Sequence, residues 1–144
     1  MVTIERTTSS AGIDLSDINE LLKQLHFDRQ DPAATQNDLD TIASGKNSIF
    51  VIARDEGKVV GMATAYLVAK LGKTTGYVED VVVSETQRGQ GIGIKLMERI
   101  IEEVKKTKVK YLYLTSREGR TAANALYQKL GFEKRDTNNY RLQF

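Results

Sequence analysis

The chain contains no cysteine, and that absence removes a disulfide framework, a thiolate-held metal and a cysteine nucleophile together. A single histidine, His26, excludes a multi-histidine metal site. Charge of one sign is also scarce. Against 21 Lys and Arg stand 19 Asp and Glu, and the resulting +2 is too weak a bias to argue for nucleic acid or a membrane surface as partner. No apolar run approaches the ~18 residues of a bilayer span, and Met1 to Ser10 lacks the apolar stretch of a secretory signal. A cytoplasmic protein is therefore the default expectation. What is present is a chain of 144 residues, 40% hydrophobic and 28% charged, able to bury a core. With no repeat, linker or low-complexity segment, one domain over 1–144 is expected.

Residue spacing divides the chain into alternating elements. Val2 to Thr7 has a period of two and reads as a short strand, with Val2, Ile4 and Arg6 on one side. Leu15, Ile18, Leu21, Leu22 and Leu25 follow helical spacing within Asp14 to Phe27, with Asp14 or Ser16 as cap. Beyond Pro32, the only proline, a second short helix starts at Thr35, turns Leu39 and Ile42 inward and ends at Gly45. Ser48 to Arg54 and Val59 to Leu71 are rich in β-branched residues, and Asp55-Glu56-Gly57-Lys58 joins them as a hairpin. Gly76 to Val83 ends in Val81-Val82-Val83, the pattern of a strand buried on both faces. From Ile92 to Lys106 the period becomes helical, with Ile94, Met97, Ile100, Ile101 and Val104 as the apolar stripe. Val109 to Thr115 predicts a strand and Thr121 to Leu130 a helix closed by Gly131. Phe132 to Arg135 and Tyr140 to Phe144 predict a final hairpin. The two strand-helix-strand passages make the expected α/β (α+β) sheet mixed, parallel on one side and antiparallel on the other.

The strongest local signal is Arg88-Gly89-Gln90-Gly91-Ile92-Gly93, between the valine strand and a helix. Glycines at 89, 91 and 93 let the backbone turn several N–H groups toward one point at a helix N-terminus, which suits an anion such as a phosphate. A plain glycine turn is the competing reading. The spacing is neither the dinucleotide fingerprint nor the phosphate loop of nucleotide hydrolases.

Placed after a valine strand, Arg-x-x-Gly-x-Gly resembles the acetyl-coenzyme A signature of the GCN5-related N-acetyltransferase (GNAT) family. Asn124-Ala125-Leu126-Tyr127-Gln128-Lys129-Leu130-Gly131-Phe132 resembles that family's second motif, and the order of elements matches over the whole chain. The resemblance implies a GNAT fold, with a mixed, mostly antiparallel sheet of six to seven strands, a central parallel pair and about four helices. It implies that the amides of Arg88, Gly89, Gln90, Gly91, Ile92 and Gly93 hold the pyrophosphate of acetyl-coenzyme A. The splayed strand at Val81, Val82 and Val83 would pair with the pantetheine arm. An N–H of Val81 or Val82 would hold the developing oxyanion.

The same resemblance implies N-acetyl transfer to a primary amine in a ternary complex, with no metal. The acceptor is a small-molecule amine or, as the nearest variant, a peptide amine. Glu79 is the candidate base, expected to be partly buried with a raised pKa and with Asp80 on the opposite face; a cap or surface ion pair is the alternative. Tyr127 is the candidate acid for the departing thiolate, with packing against Leu130 and Phe132 as its other reading. Asn124 would bond the pantetheine or a phosphate, or else cap a helix. Either Arg117 and Arg120 or Lys95 and Arg99 would meet the 3′-phosphate. His26, Asp28 and Arg29 resemble the acceptor-binding segment. The Lys105 to Lys110 run suits a helix C-terminus and argues for no nucleic-acid contact. The final hairpin offers an edge for a homodimer. A noncatalytic acyl-coenzyme A sensor is the reading from a different class.

Overall fold

Two tight turns fold the middle of the chain onto itself. Glu56 and Gly57 both take positive φ, 46° and 85°, as a two-residue hairpin with the twist of its strands requires. They join β2 (Ser48–Asp55) to β3 (Lys58–Lys70), and a second turn at Gly72 joins β3 to β4 (Lys73–Val83). In this computed structural model, which describes residues 1–26 and 30–144, β1 (Val2–Thr7) and β5 (Val109–Tyr113) complete a sheet of order β1-β2-β3-β4-β5. All pairs are antiparallel except β4 with β5.

Among the described residues, four helices lie close to the ranges predicted for them. Asp14 accepts from the Ser16 amide at 2.9 Å to start α1 (Leu15–Leu25). Thr35 and Asp38 form a reciprocal capping box at the head of α2 (Gln36–Ser44). These two cover one face of the sheet, packing Ile18, Leu21 and Leu39 on Phe50, Ile52 and Met62. The other face carries α3 (Ile92–Lys105) and α4 (Thr121–Lys129). Leu96, Met97 and Ile100 are wholly buried there, each burial contributing about 1.5 to 3 kcal/mol, and this fixes which side of α3 faces the sheet. Ile94 and Ile101 are only half-buried, so the stripe is rotated from the one expected toward Leu96. A Cβ on Gly61 would stand 3.2 Å from both Leu96 Cδ1 and the Val82 carbonyl, so glycine lets α3 settle against the β3–β4 rung.

One charged group breaks the apolar stripe. Glu103 is buried on α3 and accepts from Arg6 Nη1 at 2.9 Å, Arg99 Nε at 3.0 Å and Lys106 Nζ at 3.0 Å. Burial alone would raise its pKa, but the hydrogen bonds from Lys106, Arg6 and Arg99 outweigh it and bring it down to about 2. Arg6 lies on the apolar side of β1 because its partner is in the core.

Two sequence expectations fail here. The final hairpin is absent: residues 132–144 form no strand, so among the described residues the sheet has five strands rather than six or seven. From Glu133 to Phe144 every residue is exposed, and Phe132 is already used against the Tyr127 ring at 6.1 Å, so Tyr140, Leu142 and Phe144 have no partner that would bury them as a strand face. The valine run is also not buried on both faces. Val82 is buried while Val81 and Val83 are half-buried, because the parallel ladder stops at Tyr77 opposite Tyr113 and β4 continues to Val83 paired with β3 only. The strand expected over 109–115 accordingly ends at Tyr113.

Candidate active site

Where β4 outruns β5, the sheet opens into a cleft of about 1440 Å³. One wall is the strand from Val78 to Val83, the other is the chain leaving β5 through Leu114, Thr115 and Ser116, and the head of α3 closes one end. The β4 edge facing this gap has no ladder partner, so its N–H and C=O groups are open to an extended ligand.

The glycine loop builds the α3 end of the cleft. Gly89 and Gly91 have φ of 79° and 76°, a region that other residues enter at a cost, and Gly91 is the N-cap of α3. That cap has no side-chain hydrogen bond and the first turn carries no acidic residue, so the leading amides of α3 remain unsatisfied among the described residues. A Cβ on Gly93 would meet only Leu126 and Val83 at 3.7 and 3.9 Å, whereas Gly89 has no neighbour within 4 Å. The loop is open on its outer side, as close approach of a phosphate demands. Arg88 Nε donates to the Val83 carbonyl at 3.1 Å, tying the loop back to the end of β4.

Reactive groups gather along the cleft. Glu79, Asp80 and His26 line it, with His26 at the end of α1 and its Nε2 3.7 Å from Asp80 Oδ1. Asp80 has φ of 54°, and the β3–β4 register shifts between Met62 and Thr64, so a bulge interrupts the strand here. The bulge overturns the expectation that Asp80 faces away from Glu79: the Asp80 carboxylate lies beside His26 on the α1 side of the sheet, and the charges of both carboxylates reach Tyr66 of β3. Glu79 is exposed rather than partly buried as expected, because the gap beside β4 admits solvent at its position. Tyr127 borders the cleft from α4 with 7% of its surface exposed, and burial pushes its phenol pKa up, against a smaller lowering by Arg120. Ser116 Oγ is buried without a hydrogen-bond partner among the described residues, at the point where β5 leaves the sheet.

A scan against family models matches residues 15–132 to the acetyltransferase (GNAT) family. The chain belongs to the GNAT family. It is 30% identical over 105 residues to an L-2,4-diaminobutyric acid acetyltransferase of Shouchella clausii, covering 67% of this chain and 58% of that protein. It is 31% identical over 104 residues to the L-methionine sulfoximine/L-methionine sulfone acetyltransferase of Pseudomonas aeruginosa, covering 72% and 60%. The aligned region thus spans about three fifths of each of these two proteins. Among solved structures, a transcriptional regulator from Bacillus halodurans superposes with a TM-score of 0.83 at 26% identity, over 100% of both chains.

The GNAT cleft gathers most of the residues expected from the sequence. Val81, Val82, Val83, Arg88, Gly89, Gly91, Ile92, Gly93, Glu79, Tyr127 and His26 all border it. Gln90 and Asn124 do not. Gln90 donates to Gln87, and Asn124 Nδ2 donates to the Arg117 carbonyl at 3.0 Å and the Glu118 carbonyl at 3.4 Å, holding the β5–α4 loop. Of the two cation pairs, Arg117 and Arg120 border the cleft, while Arg99 is engaged by Glu103. Asp28 and Arg29 lie outside the described residues. Thr115 and Ser116, hydroxyls that the sequence leaves open as acyl carriers, also line the cleft. Sequence reading missed Asn139 and Arg141, which reach the cleft from the C-terminal segment without belonging to any strand.

Proposed function

We propose that this GNAT domain transfers an acetyl group from acetyl-coenzyme A to the primary amine of a small molecule by direct attack. The observation that carries the reading is the parted β4–β5 pair, with an uncapped glycine cradle at one end and Glu79 and Tyr127 bordering its length. The two enzymatic relatives are named for acceptors that are amino acids of low mass. The residues present fit the co-substrate. The first-turn amides of α3 suit a pyrophosphate, Arg117 and Arg120 suit a further phosphate, and the free β4 edge and the orphaned Ser116 hydroxyl suit a polar, extended arm.

When bound, acetyl-coenzyme A supplies an activated thioester. Glu79 takes a proton from the acceptor ammonium, leaving the neutral nitrogen that can attack. Backbone N–H groups at Val81 or Val82 face the negative charge that develops on the acetyl oxygen. The Tyr127 hydroxyl gives a proton to the departing sulfur. Its raised pKa keeps it protonated throughout the neutral range.

Thermal unfolding with coenzyme A, acetyl-coenzyme A, dephospho-coenzyme A and ATP tests this reading. At a hundredfold excess over the dissociation constant, binding adds about 2.7 kcal/mol, a rise of roughly 5 to 10 °C for a chain of this size. A rise with the coenzyme A forms and not with ATP is expected, smaller for the dephospho form. Equal midpoints with all four would remove the basis of the reading.

A further inference from the structure

The α1–α2 face of the sheet is only partly covered. Val68 and Tyr111 are 39% and 46% exposed on the far part of β3 and β5. Across this uncovered part runs a row of three tyrosines in direct register, Tyr66 opposite Tyr77 and Tyr77 opposite Tyr113. The Tyr77 and Tyr113 rings stack at 5.6 Å and Tyr111 adds a fourth ring at 6.1 Å from Tyr113. Side chains two apart on a strand share a face, so Glu79 stands one row from Tyr77, roughly 7 Å along β4. Tyr66 senses this neighbourhood: burial first, then the charges of Asp80 and Glu79, push its phenol up to about 12.

The other end of the row is cationic. Lys70 Nζ donates to Tyr77 Oη at 2.6 Å and sits 5.1 Å from that ring's centre. Lys73 and Lys110 flank Tyr111 at 5.7 and 5.6 Å, and Arg135 lies 5.5 Å from the Tyr113 ring. Among the described residues none of these four cations is in an ion pair with a carboxylate. The surface thus runs from carboxylates at the cleft, over flat aromatic rings, to three ammonium groups and a guanidinium that have no carboxylate partner among the described residues.

Resting on the acetyl-transfer reading, we infer that the Tyr66–Tyr77–Tyr113 row is the acceptor shelf, and that it selects low-mass amines carrying an anionic group at the end away from the amine. The amine meets Glu79 and Asp80, a planar or apolar body lies on Tyr77 and Tyr113, and the carboxylate or phosphate replaces water around Lys70. Tyr77 serves this shelf in its own right, because Lys70 both bonds its hydroxyl and is held in place by it.

The matched probes are 4-(aminomethyl)benzoate and benzylamine, which differ by one carboxylate. Wild-type protein is expected to show at least tenfold higher kcat/KM for the carboxylate, through KM. Lys70→Glu should bring the ratio to one or below, whereas Lys46→Glu, the same charge change on an exposed residue outside the shelf, should leave it intact. Lys70 lies at an exposed hairpin end, and melting curves verify that each variant folds. Equal use of the two amines by wild type, or a preference that survives Lys70→Glu, overturns the inference. If coenzyme A raises the midpoint but neither amine is acetylated, the shelf assignment falls while cofactor binding stands. If coenzyme A gives no rise, the acetyl-transfer reading falls with it.

Discussion

Tyr127→Phe is expected to lower kcat about 100-fold while leaving the coenzyme A melting shift within about 1 °C of wild type. The change removes one hydroxyl and keeps the ring, so the edge-to-face contact with Phe132 and the packing under α4 survive. Stability should therefore fall by less than about 1 kcal/mol. The pH dependence adds a second reading of the same experiment. With its pKa raised above 10, the phenol stays protonated between pH 6 and 9, so wild type and variant should share one profile shape across that range and differ only in height. A variant that keeps wild-type kcat would reduce Tyr127 to a packing residue.

Glu103→Gln is expected to cost about 2 to 4 kcal/mol of stability at pH 7, read as the urea midpoint at constant slope. The loss comes from Arg6, Arg99 and Lys106 pointing at a neutral amide inside the α3–β1 contact. Its pH dependence follows from the folded pKa of about 2 against the ordinary 4.5. The folded value is depressed, so the stabilisation is complete above about pH 5 and drains away as pH falls toward 2. The gap between wild type and Glu103→Gln should accordingly close by about 1 to 2 kcal/mol between pH 6 and pH 2.5, the figure being reduced because water screens the exposed Lys106. Asp14, Asp38 and Asp40 also have lowered pKa values, from the Ser16 amide, the Thr35 amide and the Ser10 hydroxyl respectively. They titrate alike in both proteins and cancel from the difference. A gap that stays constant with pH would mean the three cations do not hold the carboxylate charged.

What could be read from the sequence was whatever local chemistry decides. The cap at Thr35, the Glu56-Gly57 turn and the glycine loop ahead of α3 each need only a few adjacent residues, and each stands where its pattern placed it. Three features depend on contacts distant in the chain. Glu103 was invisible because its burial is made tolerable by Arg6, 97 residues away. Asp80 was misplaced because a period-two reading assumes an unbroken strand, and the bulge beside Met62 reverses the alternation; aspartate tolerates the left-handed backbone that this requires. The C-terminal hairpin was expected from the two segments Phe132 to Arg135 and Tyr140 to Phe144, yet such segments form strands only where a partner buries one face, and Tyr140, Leu142 and Phe144 are 88%, 78% and 109% exposed. Asn124 shows a further limit: an amide on a helix can serve a ligand or a loop carbonyl equally well, and here it bonds the loop.

The unpaired run of β4 also bears on how such a protein can change over time. The contribution proposed for it in ligand recognition is main chain, and substitution leaves main-chain N–H and C=O groups in place. Val81 and Val83 can become isoleucine or threonine without deleting a donor or acceptor from that edge. Glu79 and the tyrosine row would by contrast act, under the acetyl-transfer proposal, through side chains that a single codon change removes. Under the acetyl-transfer proposal, the domain therefore carries a mutation-resistant grip on one partner beside a freely adjustable grip on the other. New acceptors are within reach of point mutation at the shelf, with the cofactor edge left untouched.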